Sequence, residues 1–335
     1  MNILLIANCR LGDSLVMLPA LRSLRRRYPD ARIVLASEQA GQGYVAAQDI
    51  LGGHGLVDAF APMESPKWSL LRAWKRLLFC YRMRRERWDV GIVMMPPVPP
   101  LTMSLVHRFA LYLKWCGVPK IIAPTDVAWS DTLVSEQLLK LLSPLDVQPA
   151  GFELPSPQQA VGMPSFPADK RLLAVAPGAN MPLKVWGNEH FVAVLRELPS
   201  DVHPVYFGGE NERGLCEGLN REVPGTLFVG RPMAEVEALM RRCCCYLGND
   251  TGLMHLAAAC GLKCVALFSG HSKTRCWEPF GAGHTIFRHH KMDCEGCLAS
   301  VCPRRTRECM VFDEVDVAKA VAQCMEKSTG VPSRW

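Results

Sequence analysis

The sequence predicts an α/β protein with two doubly wound parallel-sheet domains. Short β-rich runs alternate with helical stretches, a proline-rich segment interrupts that alternation near the middle, and the 335 residues have 49% hydrophobic content. Alternation of strand and helix favours a parallel sheet with helices on both faces. A chain of this length is too long for one comfortable core and suits two domains of ordinary size.

The first predicted domain spans residues 1–150. Its elements follow from apolar runs rich in β-branched residues and from a helical apolar period. The strands are NILLIA, ARIVLAS, WDVGIVMM and KIIAP, and the helices are LVMLPALRSLRRRY and SDTLVSEQLLKLL. The apolar stretch LTMSLVHRFALYLKWCGV carries His107, Arg108 and Lys114, so it is not a plain membrane span. With no signal-peptide pattern at the first residues, we expect a soluble, cytosolic protein.

A linker and a second domain follow. Six prolines crowd residues 144–170, a segment of little periodicity, and predict a linker over residues 151–170 within it. They are Pro144, Pro149, Pro155, Pro157, Pro164 and Pro167. The alternation restarts with RLLAVAPG, HPVYFGG, GTLFVG, CCCYLGND and KCVALFSG, which predicts a second parallel sheet over residues 171–311. The stretch DEVDVAKAVAQCMEK predicts a C-terminal helix within residues 312–330.

The fifteen cysteines lack the even pattern of a small disulfide framework. They favour a reducing compartment, where thiols act as small buried hydrophobes. Cys243, Cys244 and Cys245 lie in a predicted strand, so we expect them in the core.

The formal charge of +6 is concentrated in the first half of the chain. The basic side chains end the first helix and crowd the stretch before WDVGIVMMP; they are Arg22, Arg25, Arg26, Arg27, Lys75, Arg76, Arg82, Arg84, Arg85 and Arg87. Two interpretations stay open. The residues form solvated helix faces, or they form a surface for an acidic partner such as nucleic acid, anionic lipid or a phosphorylated sugar.

Polar residues cluster where predicted strands turn into helices. In the first such turn, Asp13 and Ser14 suit helix capping as well as chemistry. In GNDTGLMHLAAACG, Gly248 and Gly252 would let the backbone approach a ligand, and amides at the helix start would bind phosphate or pyrophosphate. Asp250 would repel phosphate, which favours contact with sugar hydroxyls. The alternative is a helix capped by Asp250 or Thr251, with His255 buried against the sheet.

Four segments together resemble the lipopolysaccharide heptosyltransferase family of glycosyltransferases. The first is YLGNDTGLMHLAAACGLKCVALFSG followed by Trp277-Glu278-Pro279, and the others are NCRLGDSLVMLPALRSLRRRYPDARI, PGANMPLKVW and FGGENER. Their order and spacing agree with that family over nearly the whole chain. The resemblance implies a GT-B fold, in which two Rossmann-like domains face each other across a cleft. The first would bind the acceptor and the second the nucleotide sugar, and the C-terminal helix would pack back on the first domain.

The resemblance also implies the chemistry: an inverting, metal-independent transfer without a cofactor, from ADP-heptose to the inner core of lipopolysaccharide at the cytoplasmic face of the inner membrane. Asp13 would be the general base, and Lys184 with the helix amides would stabilise the departing ADP. The donor-binding residues would be Asn180, Glu212, Met233, Asp250, Thr251, Gly252 and His255, with Glu210 a weaker alternative to Glu212. Family members often have threonine or serine where this chain has Ala179 and Asn180. Acceptor-binding residues would be Arg10, Arg25, Arg26, Arg84 and Arg85.

A cysteine-rich segment is not needed for this reaction. Cys294, Cys297, Cys302 and Cys309 follow a C-x2-C-x4-C-x6-C pattern that suits zinc or an iron–sulfur cluster. Because the resemblance implies no catalytic metal there, reduced thiols are the preferred interpretation.

Two other functions fit parts of the pattern. A sugar-nucleotide epimerase would also use a pyrophosphate site at a helix terminus. A non-enzymatic nucleic-acid-binding protein would use the arginines, although no aromatic residues are interleaved with them as a single-strand platform.

Overall fold

A computed structural model describes residues 1–8, 10–38, 45–63, 70–95, 103–124, 132–155, 164–166, 169–272, 275–290 and 292–328. The chain divides into two compact units, Met1–Gln159 and Ala160–Trp335. This division falls inside the proline-rich segment predicted as the linker, of which residues 156–163 and 167–168 lie outside the described residues.

The first unit is built on a five-stranded parallel sheet with strand order β3-β2-β1-β4-β5. Its strands are β1 (Asn2–Ala7), β2 (Arg32–Glu38), β3 (Ala59–Met63), β4 (Val90–Val93) and β5 (Lys120–Ile122). In the centre, Ile3 is in register with Ile33 on one side and with Val90 on the other. This central strand is fully buried from Ile3 onward, which explains its uninterrupted apolar sequence.

Six helices accompany the first sheet: α1 (Leu11–Val16), α2 (Leu18–Arg27), α3 (Ala47–Leu51), α4 (Leu70–Arg84), α5 (Met103–Trp115) and α6 (Val134–Leu141). The predicted helix over residues 15–28 is split at Met17, because Pro19 lacks the N–H that a continuous helix would bond to Leu15. The stretch rejected as a membrane span is α5, and its Phe109 and Leu113 pack into the core beside Leu4 and Ile6.

The second unit is built on a six-stranded parallel sheet with strand order β11-β10-β9-β6-β7-β8. Its strands are β6 (Arg171–Ala176), β7 (Val202–Gly208), β8 (Thr226–Val229), β9 (Cys245–Asn249), β10 (Lys263–Phe268) and β11 (Thr285–Arg288). Its helices are α7 (Asn188–Arg196), α8 (Arg213–Glu222), α9 (Met233–Met240), α10 (Gly252–Ala259) and α11 (Glu314–Ser328). The predicted pair of parallel sheets is therefore confirmed.

The C-terminal helix α11 packs on the second sheet. Its Val317 and Val321 are fully buried in the core of that unit, and a disulfide joins Cys324 to Cys245 of β9. Cys243 and Cys245 are buried as expected, whereas Cys244 is half-buried, and only Cys245 lies within β9. The expectation of a reduced thiol is wrong for Cys245. Packing of α11 on the first domain stays a prediction.

Among the described residues, none of the helices combines the length and the apolarity needed to cross a lipid bilayer.

Candidate active site

Each sheet has one topological switch point, which is the place where the chain reverses the direction in which it adds strands. In the first sheet this lies between β1 and β4, and in the second between β6 and β9. Ligands of open parallel sheets bind outside the carboxyl ends of the strands at such points. The polar turns singled out in the sequence follow β1, β6 and β9, so the topology brings the last two side by side.

In the second unit, an ion pair joins the turns after β6 and β9. Lys184 ends a short 3₁₀ turn, Pro182–Lys184, and its Nζ lies 2.5 Å from Asp250 Oδ2. Both side chains are about seven-eighths shielded from solvent, at 13% and 12% exposure. A cation and a carboxylate at this depth hold each other, because either one alone would be costly to desolvate. The Lys184 charge is thereby fixed at the switch point.

Asn249 provides a second link between the same two turns, which the sequence motifs did not predict. Its fully buried amide donates to the carbonyl oxygens of Pro177 at 2.7 Å and Gly178 at 3.3 Å. Its Oδ1 accepts the backbone N–H of Trp186 at 3.3 Å. A buried polar side chain is stable only when its groups are paired, so these three bonds define the shape of the turn before α7. An asparagine between Gly248 and Asp250 in GND was the available signal.

The turn after β7 brings a carboxylate against the turn after β6. Glu212 Oε2 accepts the backbone N–H of Gly209 at 2.8 Å. A Cβ built at Gly178 would overlap the Glu212 carboxylate, so only glycine at 178 allows this approach. Glu210 instead pairs with Arg213 at 2.6 Å on the surface. The geometry therefore favours Glu212 over Glu210 as the carboxylate near the switch point.

The helix α10 begins beside Asp250. Thr251 occupies its N-cap with extended backbone, but within the part of the chain that the structure describes its side chain makes no capping hydrogen bond. Asp250 is engaged by Lys184. The alternative in which the Thr251 side chain caps α10 is therefore wrong. Gly252 is the first residue of α10, as the sequence predicts for a helix start that approaches a ligand.

Gly248 has a packing role that the sequence did not predict. It lies inside β9, where a Cβ would come within 2.6 Å of both the Ala176 carbonyl oxygen and the Tyr246 hydroxyl. The packing of neighbouring strands therefore requires glycine here, and its approach to a ligand stays a prediction.

His255 lies buried on α10, with its ring 6.5 Å from that of Trp277 in an edge-on arrangement. Burial lowers the pKa of His255 to about 4, the nearby Asp250 opposes the shift, and the Lys184 charge adds to it. The ring is thus neutral near neutral pH and cannot supply positive charge to a phosphate. Burial of His255 is the part of the capped-helix alternative that the structure confirms, and its place among the donor-binding residues stays a prediction.

Two further predicted donor contacts lie at the same edge of the sheet. Met233 is half-buried and begins α9, after β8. Asn180 is exposed in the turn after β6. Both are therefore positioned at the carboxyl ends of their strands.

The cysteine-rich segment contacts the turn that bears Lys184. The Ser300 carbonyl accepts the backbone N–H of Leu183 at 3.4 Å, and the Arg307 guanidinium donates to the Val185 carbonyl. The residues on both sides of Lys184 are thus held by this segment.

The four cysteines themselves do not form a ready metal site. Cys309 is buried, and Cys294, Cys297 and Cys302 are half-buried. Among the described residues, no group of three or more histidine, cysteine or acidic side chains is arranged to hold a metal ion. Burial raises the pKa of the Cys309 thiol, whereas backbone amides led by that of Arg307 lower the pKa of Cys302.

In the first unit, Asp13 lies in α1 immediately after β1. Its Oδ2 accepts the backbone N–H of Arg10 at 3.3 Å, so Asp13 makes the helix-starting contact that the sequence allowed for. Burial raises the pKa of Asp13 to about 6, and the Arg10 amide and charge oppose the shift. A carboxylate that is ionised near neutral pH yet unusually basic is suited to accepting a proton.

The predicted acceptor-binding arginines differ in their surroundings. Arg10 and Arg26 are exposed. Arg25 pairs with Asp58 at 2.6 Å and donates to the carbonyl oxygens of Pro29, Ala31 and Leu56. That network favours a role in holding the first unit together, and the acceptor contact of Arg25 stays a prediction.

Arg84 and Arg85, at the end of α4, are both exposed. A Cβ at Gly117 would lie 3.3 Å from Arg84 Cγ, so the Arg84 stem rests on that glycine. The Arg85 guanidinium lies over the Tyr81 ring at 5.2 Å.

Two doubly wound parallel-sheet units, each with polar turns at its switch point, are the architecture of GT-B glycosyltransferases. The chain belongs to glycosyltransferase family 9 (heptosyltransferase), whose family model matches residues 122–306. It is therefore a glycosyltransferase, as the sequence motifs predicted.

Known relatives agree along most of the chain. The lipooligosaccharide heptosyltransferase 2 of Haemophilus influenzae is 23% identical over 86% of this chain and 88% of its own length. The glycosyl transferase family 9 structure from Veillonella parvula superposes with a TM-score of 0.74 at 16% identity, covering 97% of both chains. The ADP-heptose lipopolysaccharide heptosyltransferase II of Escherichia coli gives a TM-score of 0.68 at 20% identity, covering 96% of this chain and 99% of the other. The structural likeness confirms the GT-B fold.

Proposed function

We propose that the protein transfers a heptose from ADP-heptose to the inner core of lipopolysaccharide. Family membership supports glycosyl transfer over the epimerase and nucleic-acid-binding alternatives. The observation that carries the proposal is the braced Lys184–Asp250 pair at the switch point of the second sheet, directly before an uncapped helix start. A fixed cation beside backbone amides suits a pyrophosphate group.

The reaction would proceed in one displacement. Asp13 would take the proton from an acceptor hydroxyl while that oxygen attacks the anomeric carbon of the heptose. The bond from that carbon to the β-phosphate oxygen would break, and ADP would leave with the electron pair. Attack from the face opposite the leaving group inverts the anomeric centre. The raised pKa of Asp13 supports this role.

In the donor pocket, Lys184 and the amides of Thr251 and Gly252 would neutralise charge that builds on the ADP. Pyrophosphate would compete with Asp250 for Lys184, which would free Asp250 for sugar or ribose hydroxyls. Glu212 would hold the ribose and Met233 would pack on the adenine, with Asn180 and His255 lining the pocket. No cofactor or metal takes part in this scheme.

On the acceptor side, Arg10, Arg26, Arg84 and Arg85 would attract the phosphates and carboxylates of a lipid-linked core. Arg25 is left out because its charge is already paired. The enzyme would work at the cytoplasmic face of the inner membrane, associated with its anionic surface.

The direct test is to incubate the protein with ADP-heptose and a panel of truncated lipopolysaccharide cores and to read product masses. We expect one core to gain a single heptose with release of one ADP. Hydrolysis or rearrangement of ADP-heptose with no addition to any core would overturn the proposal.

A further inference from the structure

Helix α4 in the first unit has a large apolar face exposed to solvent. Trp74, Leu77, Leu78 and Tyr81 follow the i, i+3, i+4, i+7 spacing that places side chains on one face of a helix. Trp74 is 67% exposed and Tyr81 is 58% exposed. Single exposed apolar side chains are ordinary, whereas a contiguous set of this size marks an interaction surface.

In the part of the chain that the structure describes, the core packing of α4 does not use this face. The opposite side of α4 supplies the packing: Cys80 is buried in the first-unit core, and Phe79 and Met83 pack against it. The exposed stripe is therefore a second apolar face on the same helix.

Helix α5 extends the surface. It packs beside α4, where Arg76 Nη1 donates to Tyr112 Oη at 3.1 Å. On the outer side of α5, Leu111 and Trp115 lie one turn apart and are 42% and 45% exposed. Both helices cover the same face of the first sheet, so their exposed residues form one surface, which we call the α4–α5 face.

The charge of the α4–α5 face has one sign. The sequences of α4 and α5 contain no aspartate or glutamate. Exposed basic residues flank the apolar stripe, and they are Lys75, Arg82, Arg84 and Arg85 on or after α4 and Arg108 and Lys114 on α5. The next acidic residue along the chain, Glu86, is paired with Arg32 at 2.7 Å.

We propose that the α4–α5 face docks on an anionic lipid bilayer. Tryptophan and tyrosine prefer the boundary between headgroups and acyl chains, and leucines enter the apolar layer beside them. Lysine and arginine keep their charges among anionic headgroups, where each contributes about 1 kcal/mol. A symmetric dimer through this face would press two basic surfaces together, so the charge favours lipid over a second copy.

This inference rests on the proposed function only for its purpose, which is to bring the enzyme to a lipid-linked acceptor. The face itself lies within the first unit and shares Arg84 and Arg85 with the proposed acceptor site, but it contains none of the proposed donor-binding residues.

The test is flotation with vesicles of phosphatidylcholine containing about one third phosphatidylglycerol, and with vesicles of phosphatidylcholine alone. The parent protein should float with the anionic vesicles and much less with the neutral ones. The variant Trp74→Ser, Leu77→Ser, Tyr81→Ser should lose at least about fivefold of the bound fraction. Lys75→Glu with Arg82→Glu should lose binding to a similar degree, and raised salt should mimic it.

The matched control is Val301→Ser with Val311→Ser, which removes two exposed apolar side chains, 66% and 60% exposed, from the second unit. It should float as the parent does. Melting temperatures should be unchanged in all variants, because the substituted side chains are exposed.

Three results would overturn the inference. They are a parent that does not float, a serine variant that floats like the parent, and a serine variant whose sedimentation mass falls, which would assign the face to self-association. Transfer to a delipidated, soluble core is measured in parallel. If a serine variant no longer floats but transfers heptose to that acceptor at the normal rate, the docking inference is supported. If the parent floats but transfers no heptose, the proposed function is refuted and the docking inference is not.

Discussion

The polar turns of the two units are held in different ways. In the second unit, Lys184–Asp250, the Asn249 amide and the Glu212 carboxylate tie together the turns after β6, β7 and β9. In the first unit, Asp13 lies on a six-residue helix, and its carboxylate accepts the Arg10 backbone N–H at 3.3 Å. We propose that the difference reflects a division of labour, in which a preformed pocket would bind the donor and the Asp13 carboxylate would accept the proton.

The largest effect is expected at Asp13. Asp13→Asn should lower kcat by roughly 10²–10⁴, because an amide cannot accept the acceptor proton. ADP binding should be unchanged, as steady-state kinetics and calorimetry would show. Asp49 is the matched control, since its Oδ2 accepts the Ala46 N–H at the same 3.3 Å at the start of α3. If Asp49→Asn lowered kcat as much as Asp13→Asn, or if Asp13→Asn kept the parental kcat, Asp13 would act only as a helix cap.

The second prediction concerns stability at low pH, which Asp13 in the first unit and His255 in the second should change in opposite directions. Burial raises the pKa of Asp13 from 3.8 to about 6, so between these pH values the folded state binds a proton that the unfolded state does not. The free energy of unfolding therefore rises as pH falls from about 6 toward 3.8. Burial lowers the pKa of His255 to about 4, so the unfolded state is protonated first and stability falls as pH drops from 6.5.

Each group contributes up to about 3 kcal/mol across its window. Urea unfolding from about pH 7 to 4 should therefore show a steeper acid loss in Asp13→Asn and a shallower one in His255→Gln. Parallel curves for both variants and the parent would mean that neither pKa differs between the folded and unfolded states.

The third effect concerns the Asn249 link. Asn249→Ala should cost about 1–3 kcal/mol of unfolding free energy, since it leaves buried carbonyls and an amide unpaired, and should also weaken ADP binding. Asn220→Ala provides the comparison, because Asn220 Oδ1 accepts the Gly225 N–H at 2.9 Å, away from the switch point. Loss of stability in both variants with ADP affinity kept in both would separate Asn249 from the donor pocket.

The sequence predicted the strands of the sheets better than it predicted how the helices pack on them. Uninterrupted apolar strands such as NILLIA agree with β1 to the residue. The edge strand β3 was missed because it contains Pro62, which strand patterns exclude, and β11 is short and only partly buried. The amphipathic signal of α4 was obscured because that helix is apolar on two faces.

At the site, the motifs located the turns but not their partners. A lysine in one motif and an aspartate 66 residues later give no sign of their pairing until the strand order places β6 beside β9. The structural role of Gly248 was missed for the same reason, since its constraint comes from Ala176 on the neighbouring strand.

The smallest effect separates two adjacent carboxylates. Glu212→Gln should weaken ADP binding by about three- to tenfold, because a neutral amide binds ribose hydroxyls less strongly than a carboxylate. Glu210→Gln should leave it within error, since Glu210 is paired with Arg213 on the surface. Calorimetry on the two variants decides, and the reverse order of effects would make Glu210 the donor residue.

The most direct test of the division of labour is calorimetry of ADP with Asp13→Asn and Lys184→Ala side by side. We predict a Kd within about twofold of the parent for Asp13→Asn and a Kd raised at least about tenfold for Lys184→Ala, because only the second removes a charge that faces the pyrophosphate. Lys184→Ala leaves the largely buried Asp250 carboxylate unpaired, so the double variant Lys184→Ala, Asp250→Asn is measured beside it. The double variant should bind ADP as weakly as Lys184→Ala does. Weakened binding in Asp13→Asn, or parental affinity in both Lys184 variants, would contradict the account.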